Sequence, residues 1–293
     1  MGNRFDLTVC GVVEQSMSTR SRRTFQELVN LPDGAVPLAE AALLMACEEY
    51  PQLELSPYLD RLDEFAAVAQ AKLHPHFSPL DTIDALNEVL FGVFGFRGNT
   101  ENYNDPRNSF FNDVLERRVG IPITLSAVYL EVARRVGFPI YGVGMPGHFL
   151  VKHADRQQEF FVDPFNGGQI LTSEDCQRRF TEMFGSEQEF SDRMLSIVSP
   201  RQMLFRMLNN LKTIYLKAHT FEKSLAMVDM MLLADPEAIE QYRDRGIIKV
   251  QLRRFDAAVR DFEHYVKGAP GSKDRPQVEE HLKELRRIRA MMN

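Results

Sequence analysis

Hydrophobic and polar positions follow a helical period through the first 118 residues or so of the chain. Segments beginning near Leu38, Ser56, Ser78 and Asp105 place apolar side chains three and four positions apart. This spacing puts the apolar residues on one face of an α-helix. The last three of these residues each precede a proline, a pairing typical of a helix N-cap and first turn. The sequence therefore predicts helices here.

The period changes in the middle of the chain. One further helix is predicted for "GIPITLSAVYLEVARRVG". Short runs of β-branched and aromatic residues bounded by proline and glycine follow it: "FPIYGVGM", "HFLVKH" and "EFFVD". Runs of this length and composition are typical of strands in an antiparallel sheet. We therefore predict a helix packed on a small antiparallel sheet.

The last two of these runs predict a β-hairpin. If residues whose numbers sum to 311 face each other, His148 lies opposite Asp163 and Lys152 lies opposite Glu159. The opposite charges of the second pair favour this register. Because side chains alternate between the two faces of a strand, both pairs are predicted to share one face. The other face is apolar and is expected to pack on a helix.

The chain contains a repeat from about residue 200 onward. Thirty-four residues separate Pro236 from Pro270, and the same offset relates four apolar pairs: Ile214 and Ile248, Phe221 and Phe255, Val228 and Phe262, and Met231 and Tyr265. Tetratricopeptide repeats have this period and form a pair of helices. Gly246 stands where that pattern expects a small residue, whereas the first copy has Lys212 there. Two repeats are predicted, with the final helix capping them.

These patterns predict a mostly helical α+β protein. Its 293 residues are enough for several domains. The predicted divisions are a lead-in over residues 1–34, a helical domain over 35–95, a core with the sheet over 96–198, and two repeats with a capping helix over 199–293.

Composition and charge narrow the class of protein. With 44% hydrophobic and 26% charged residues, the chain resembles an ordinary globular protein. The net charge is −6 and the Lys and Arg residues are dispersed, so the sequence predicts no basic surface that would bind nucleic acid. No apolar run reaches the ~18 residues of a membrane helix. We therefore expect neither nucleic acid nor membrane as a partner.

The N-terminus and the cysteines favour a cytoplasmic location. Asp6 and Glu14 interrupt the N-terminal apolar stretch, which makes it a poor signal peptide. Cys10, Cys47 and Cys176 are few, odd in number and without a pattern. This usage argues against disulfides and zinc and indicates a reducing compartment.

His148 and Asp163 suggest half of a catalytic site. In a Cys–His–Asp enzyme the thiol stands at a helix N-terminus, where the helix dipole and an imidazolium lower its pKa. The helix beginning at "GIPITLS" precedes the hairpin along the chain. The acid–base pair is therefore predicted, and the nucleophile is the open question.

The segments "DPRNSFFNDVLERRVGIPITLSAVYLEVARRVGFPI", "PGHFLV" and "VDPFNGG" resemble the bacterial transglutaminase-like proteins of the SirB type. A similar core occurs in a vertebrate F-box protein. The resemblance implies a helical N-terminal domain, a papain/transglutaminase-like core and C-terminal tetratricopeptide repeats. It also implies that His148 and Asp163 match the histidine and aspartate of the transglutaminase fingerprint.

The cysteine of that fingerprint falls at or next to Pro122, counted back from Gly137. Neither Pro122 nor its neighbours Ile121 and Ile123 carries a nucleophilic atom. The resemblance therefore implies a catalytically silent core without a cofactor. Its cleft and the repeats, residues 200–293, are expected to hold a protein or peptide partner.

Two hydroxyl groups offer an alternative nucleophile. Thr124 and Ser126 lie in the first turns of the predicted helix. Thr124 acting with His148 and Asp163 would make an acyl-transfer hydrolase. The competing interpretation is that both hydroxyls cap the helix or pack near its start.

Other polar residues have weaker functional interpretations. Cys176 follows two carboxylates, whose charge disfavours a thiolate. His153 points away from His148, "HPH" at 74–76 is expected in a surface loop, and "NGG" at 166–168 is expected to be a turn, so no metal site is predicted.

Five residues near the predicted helix match the family motif and are expected to line the cleft: Arg107, Asn108, Asn112, Pro122 and Ser126. The alternative is that the polar ones only cap and hold the helices.

Overall fold

The computed structural model describes residues 19–154 and 159–292. The chain divides into two compact units, with the boundary after Met207. The helices before that boundary are α1 (residues 19–29), α2 (Leu38–Ala46), α3 (Ser56–Gln70), α4 (Pro79–Asn87), α5 (Phe111–Arg117), α6 (Pro122–Arg135) and α7 (Ser173–Phe184). Helix α8 (Pro200–Lys217) crosses it. The predicted domain bounds remain a prediction.

The helix starts follow the capping prediction in part. At α4 the Ser78 hydroxyl accepts the N–H of Asp81 and the Asp81 carboxylate accepts the N–H of Ser78, as a capping box requires. At α3 the prediction is wrong, because Ser56 is already helical and Leu55 is the N-cap. Asp105 caps only a short 3₁₀ turn, Pro106–Asn108, and α5 starts later.

The described residues form one five-stranded antiparallel sheet. Its strands are β3 (Tyr141–Val143), β4 (Leu150–Ala154), β5 (Glu159–Asp163), β6 (Gln169–Leu171) and β7 (Ile197–Val198), and their order across the sheet is β6-β5-β4-β3-β7. A separate parallel pair joins β1 (Arg97–Gly98) to β2 (Val119–Gly120). The predicted sheet is confirmed and extended by two strands that the sequence analysis did not predict, β6 and β7.

Apolar side chains cover both faces of this sheet. One face contributes Val143, Leu150, Phe161 and Leu171 to a buried cluster that also contains Cys176 of α7. On the other face, Phe149, Val151 and Val162 are also buried. Helix α6 packs against β3 and β4. The sheet therefore lies inside the unit, and the hairpin is held by packing on both sides.

The hairpin register differs from the prediction by two residues. Val151 pairs with Val162 and Lys152 pairs with Phe161, so the numbers of facing residues sum to 313. The predicted sum of 311 was wrong. Lys152 still forms an ion pair with Glu159, because a long side chain reaches the diagonal neighbour. A shift of two residues keeps every side chain on its face, so the predicted faces are unchanged.

The second unit has the predicted repeat form. After α8 come α9 (Phe221–Ala234), α10 (Ile239–Gln251), α11 (Phe255–Gly268) and α12 (Arg275–Met292). A Cβ atom on Gly246 would lie 2.4 Å from the ring of Phe262. The small residue that the repeat pattern expects is therefore required for α10 and α11 to approach closely. No helix among residues 19–154 and 159–292 is long and apolar enough to cross a bilayer.

Candidate functional site

The structure brings His148 and Asp163 together. The His148 Nε2 atom lies 2.9 Å from the Asp163 Oδ2 atom. Asp163 ends β5, whereas His148 lies in the turn that leads into β4. Gly147 precedes it with a φ of 72°, in the left-handed region that favours glycine. This turn sets the direction in which the imidazole enters the site.

Asp163 is fully buried and accepts several hydrogen bonds. Its Oδ1 atom accepts the N–H groups of Phe165 and Asn166 at 3.1 and 3.3 Å, which caps the 3₁₀ turn Pro164–Asn166. Its Oδ2 atom accepts from the Asn166 side chain at 2.8 Å and from Arg179 of α7. The carboxylate is thereby fixed in one orientation toward His148.

These partners also stabilise the charged form of Asp163. Burial alone raises the pKa of a carboxyl group, but the hydrogen bond and charge of His148 oppose it, as do Asn166 and Arg179. The net effect holds the pKa of Asp163 below its ordinary value. An ionised Asp163 can then orient the His148 ring and stabilise it when protonated.

The second nitrogen of His148 remains available. Nε2 is bonded to Asp163, and Nδ1 has no hydrogen-bond partner among the residues that the structure describes. The side chain is 12% exposed, and the ring of Phe165 meets it edge to face at 6.1 Å. His148 therefore presents one nitrogen that can accept or donate a proton.

Helix α6 contacts the turn that follows Asp163. Pro122 is its first residue, and the helix packs against the 3₁₀ turn that Asp163 caps. Pro122, Ile121 and Ile123 are all buried. The start of α6 carries only apolar side chains in its first two positions, and its role as the place of a nucleophile stays a prediction.

Thr124 uses its hydroxyl to fix the start of α6. The Oγ1 atom accepts the N–H of Ile121 at 3.1 Å and donates to the main-chain oxygen of Asn108 at 2.7 Å. It makes no hydrogen bond to His148 within the described part of the chain. Ser126 is also fully buried, and among the described residues its hydroxyl has no hydrogen-bond partner.

The two predicted cleft asparagines are buried. The Asn108 amide group donates to the main-chain oxygens of Asn102 and Tyr103 at 2.8 and 3.2 Å. Asn108 therefore ties the loop after β1 to the start of α6. Asn112 is buried, and its Oδ1 atom has no partner among the described residues. Its role stays a prediction.

Arg107 is exposed and pairs with Asp105 at 2.8 Å. The hydrogen bond and charge of Asp105 raise the pKa of Arg107. This pair lies at the 3₁₀ turn before α5, and its place in a cleft stays a prediction.

The remaining candidates lie in packed surroundings. Burial, more than the neighbouring carboxylates, raises the pKa of the Cys176 thiol to about 11, so this thiol stays protonated. His153 is buried, stacks on Phe138 and bonds through Nδ1 to the Pro139 oxygen at 2.7 Å. The described residues contain no group of three potential metal ligands. Cys10 lies outside the described residues.

Two arginines at the site escaped the sequence analysis. Arg179 bonds to Asp163, and Arg206 of α8 donates to the main-chain oxygen of His148 at 2.7 Å. No pattern in the sequence around Arg179 indicates that this residue contacts Asp163. Arg206, however, stands three residues after the buried Met203, so it interrupts the apolar stripe of its helix. A cation on an apolar stripe is a signal that could have identified it.

Comparisons with known proteins agree with this architecture. Residues 56–209 match the transglutaminase-like superfamily, and residues 211–293 match the tetratricopeptide repeat. The predicted transglutaminase-like core and C-terminal repeats are therefore confirmed. No solved structure is significantly similar to the chain.

Relatives extend over most of the chain. A "UPF0162 protein" of Xylella fastidiosa (strain Temecula1 / ATCC 700964) is 34% identical over 265 residues, covering 89% of this chain and 94% of that protein. A "UPF0162 protein" of Vibrio cholerae is 27% identical over 245 residues, covering 83% and 88%. The mouse "F-box only protein 21" is 34% identical over 137 residues, which are 44% of this chain and 21% of that protein.

Proposed function

Since the chain belongs to the transglutaminase-like superfamily and continues into tetratricopeptide repeats, we propose that it is a non-catalytic protein- or peptide-binding module. Tetratricopeptide repeats build surfaces that bind other proteins. In this proposal the core cleft and residues 200–293 hold the partner. Neither a cofactor nor nucleic acid takes part, and the protein acts in the cytoplasm.

One observation carries the non-catalytic part of the proposal. Among the described residues, no hydroxyl or thiol forms a hydrogen bond with His148, whose side-chain partner is Asp163. A nucleophile activated by a histidine stands within about 3 Å of the imidazole. Pro122 begins α6, and the family resemblance puts the fingerprint cysteine at or next to this residue, which cannot attack a carbonyl group.

The geometry gives Thr124 a supporting role in this proposal. Its hydroxyl already donates its hydrogen to Asn108 and accepts from Ile121. To act as a nucleophile, Thr124 would have to break the bond to Asn108 and leave a buried main-chain oxygen unpaired, which costs about 1–3 kcal/mol. The capping interpretation needs no such rearrangement.

An acyl-transfer hydrolase is the second candidate function. Asp163 orients the imidazole of His148, and the Nδ1 atom has no partner among the described residues. A hydrolase needs this arrangement of base and orienting carboxylate. In this version Thr124 attacks, His148 takes its proton through Nδ1, and Asp163 stabilises the imidazolium.

Activity-based labelling separates the two functions. The full chain, His148→Ala and Thr124→Val are incubated with a fluorophosphonate probe and with a panel of chromogenic esters and anilides. The binding-module proposal expects no label and no turnover that depends on His148. Turnover lost in both variants would establish the hydrolase instead.

Peptide selection tests the binding role itself. The immobilised full chain is used to select from a displayed library of random peptides, and the selected peptides are titrated against the wild type. We expect saturable binding, with each peptide recovered intact. Cleavage of the selected peptides, or failure to select any peptide above the background of the bare support, would count against the proposal.

A further inference from the structure

Arg206 holds the segment that presents His148. Its Nη2 atom donates to the main-chain oxygens of His148 and Met145 at 2.7 and 3.0 Å. Its guanidinium carbon lies 5.4 Å from the centre of the Phe149 ring, on the ring face. These contacts fix the guanidinium next to the turn from which the imidazole projects.

Within the described part of the chain, Arg206 forms no ion pair with a carboxylate. Arginines elsewhere in the same unit do have such partners: Arg179 pairs with Asp163, and Arg117 with Asp105. A partly buried cation without a counterion is costly. Burial accordingly lowers the pKa of Arg206, and the nearby Tyr103 partly opposes that effect.

Some hydrogen-bond donors of Arg206 have no acceptor among the described residues. A guanidinium group has five N–H donors, and the two on Nη2 are the ones bonded to main-chain oxygens. The donors on Nε and Nη1 have no acceptor among the described residues. The Nε–H and Nη1–H groups lie on different edges of the guanidinium, so each can donate a single hydrogen bond to a carboxylate oxygen, beside the attraction of the charge.

Tyr103 is linked to His148 through the ring of Phe165. Burial raises the pKa of Tyr103, and the nearby charge of Arg206 partly opposes that effect. The ring meets Phe165 edge to face at 6.2 Å, and Phe165 in turn meets His148. Tyr103 remains 46% exposed. A half-exposed aromatic ring, an unpaired guanidinium and the imidazole thus belong to one cluster.

We propose that Arg206, flanked by Tyr103, is the subsite that binds a carboxylate of the peptide ligand beside His148. This inference rests on the proposed binding role of the cleft and adds the chemistry of what is bound. One guanidinium balances one carboxylate, whereas a phosphate group, with a charge of about −1.5 to −2, would remain partly uncompensated. The carboxylate can come from a peptide C-terminus or from an acidic side chain.

Matched short peptides test the subsite. The probes are N-acetyl-trialanine with a free C-terminal carboxylate, its C-terminal amide, and the amide of N-acetyl-Ala-Asp-Ala. Each is titrated against the full chain at neutral pH by ligand-observed NMR, and inorganic phosphate serves as a competitor. We expect at least one carboxylate-bearing peptide to bind about tenfold tighter than trialanine amide. Whichever of the two carboxylate-bearing peptides binds more tightly shows whether the carboxylate comes from a peptide C-terminus or from an acidic side chain.

Variants assign that preference to Arg206. Arg206→Gln should remove the preference for carboxylate, and Arg206→Lys should keep part of it, because lysine retains the charge but loses the planar set of guanidinium donors. Lys217→Gln removes an exposed positive charge from the same helix and should leave the preference unchanged. Tyr103→Phe tests the flanking hydroxyl and should weaken the preference a few-fold. If Arg206→Lys keeps part of the preference, the loss in Arg206→Gln comes from the missing charge and is not explained by a general intolerance of substitution at this position.

Four results would overturn the subsite. The first two are equal affinity of the acid and amide peptides and a preference for the acid that survives Arg206→Gln. The other two are tighter binding of inorganic phosphate than of both acid peptides and no binding of either acid peptide at millimolar concentration. Cleavage of a bound acid peptide would instead remove the non-catalytic function and leave the Arg206 subsite standing. Equal binding of acid and amide removes the subsite and leaves the binding module.

Discussion

The imidazole of His148 contacts the carboxylate of Asp163 at 2.9 Å, although the two residues are not cross-strand partners. His148 precedes β4, and Asp163 is the last residue of β5, one position beyond the last pair of the β4–β5 ladder, Val151 and Val162. Their contact is fixed by the turn at Gly147 and by the hydrogen bonds that surround Asp163. Strand pairing alone does not determine it.

Asp163→Asn should destabilise the protein by about 2–3 kcal/mol at neutral pH, because it leaves Arg179 and a partly buried histidine without a charged partner. Since the pKa of Asp163 is lowered in the folded state, its stabilising effect is present above the unfolded pKa of about 4 and is lost as the pH falls through the folded value. Urea unfolding at several pH values measures this.

The control for that experiment is Asp192→Asn, which removes an exposed carboxylate. Its effect should stay within about 0.5 kcal/mol at every pH. The difference between wild type and Asp163→Asn should shrink below about pH 4. A difference that stays constant down to low pH would show that the Asp163 charge is not the cause.

Pro122→Cys should create a reactive thiol at the start of α6. The helix N-terminus and His148 together are expected to lower the pKa of that thiol, so iodoacetamide should modify it about tenfold faster at neutral pH than Cys47 and Cys176, which are buried as position 122 is. The rate is measured by mass spectrometry in a Cys10→Ser background. Cys47 and Cys176 are buried and should react slowly.

Adding His148→Ala to Pro122→Cys tests whether the histidine faces that position. The double variant should lose most of the rate increase, because the remaining helix dipole contributes less than a nearby imidazolium. An alkylation rate that is the same with and without His148 would mean that the pair and the helix start do not form one site.

Thr124→Val and Ser126→Ala form a matched pair. Thr124→Val leaves the Asn108 oxygen and the Ile121 N–H unpaired, so the free energy of unfolding should fall by about 1–3 kcal/mol. Ser126→Ala removes a buried hydroxyl without a described partner and should be neutral or stabilising by up to about 1 kcal/mol. Thermal and urea unfolding measure both.

Thr124→Ser completes this comparison. Serine keeps the hydroxyl, so most of the stability lost in Thr124→Val should return. If Thr124→Val proved as stable as the wild type, the hydroxyl would not fix α6, and the case for its capping role would fail.

Gly246→Ala should destabilise the second unit by about 1–3 kcal/mol, because the added Cβ would lie 2.4 Å from the Phe262 ring. Gly92→Ala is the control: the glycine also lies in a helical segment, but its nearest neighbour would be 3.9 Å from the added atom. That change should be neutral or slightly stabilising. Calorimetry on the full chain separates the two, and equal stability of both variants would contradict the close packing of α10 on α11.

Periodic patterns made part of the site predictable. The alternation of side chains placed His148 and Asp163 on one face, and a register error of two residues did not change that result. The motif residues before α6 pointed to a helix start with Pro122 in its first turn, and the structure begins α6 at Pro122. The partners of the Thr124 hydroxyl, in contrast, could not be predicted, since Asn108 lies sixteen positions earlier.

The sequence by itself determined the helix and strand types, the 34-residue repeat and the faces of the hairpin, because each depends on a local or periodic arrangement of side chains. The tertiary structure alone decided the register, the use of the Thr124 hydroxyl and the approach of Arg179 and Arg206 to the site. Those contacts join residues far apart in the chain, and their positions follow from packing of α7 and α8 on the sheet, which leaves no period in the sequence.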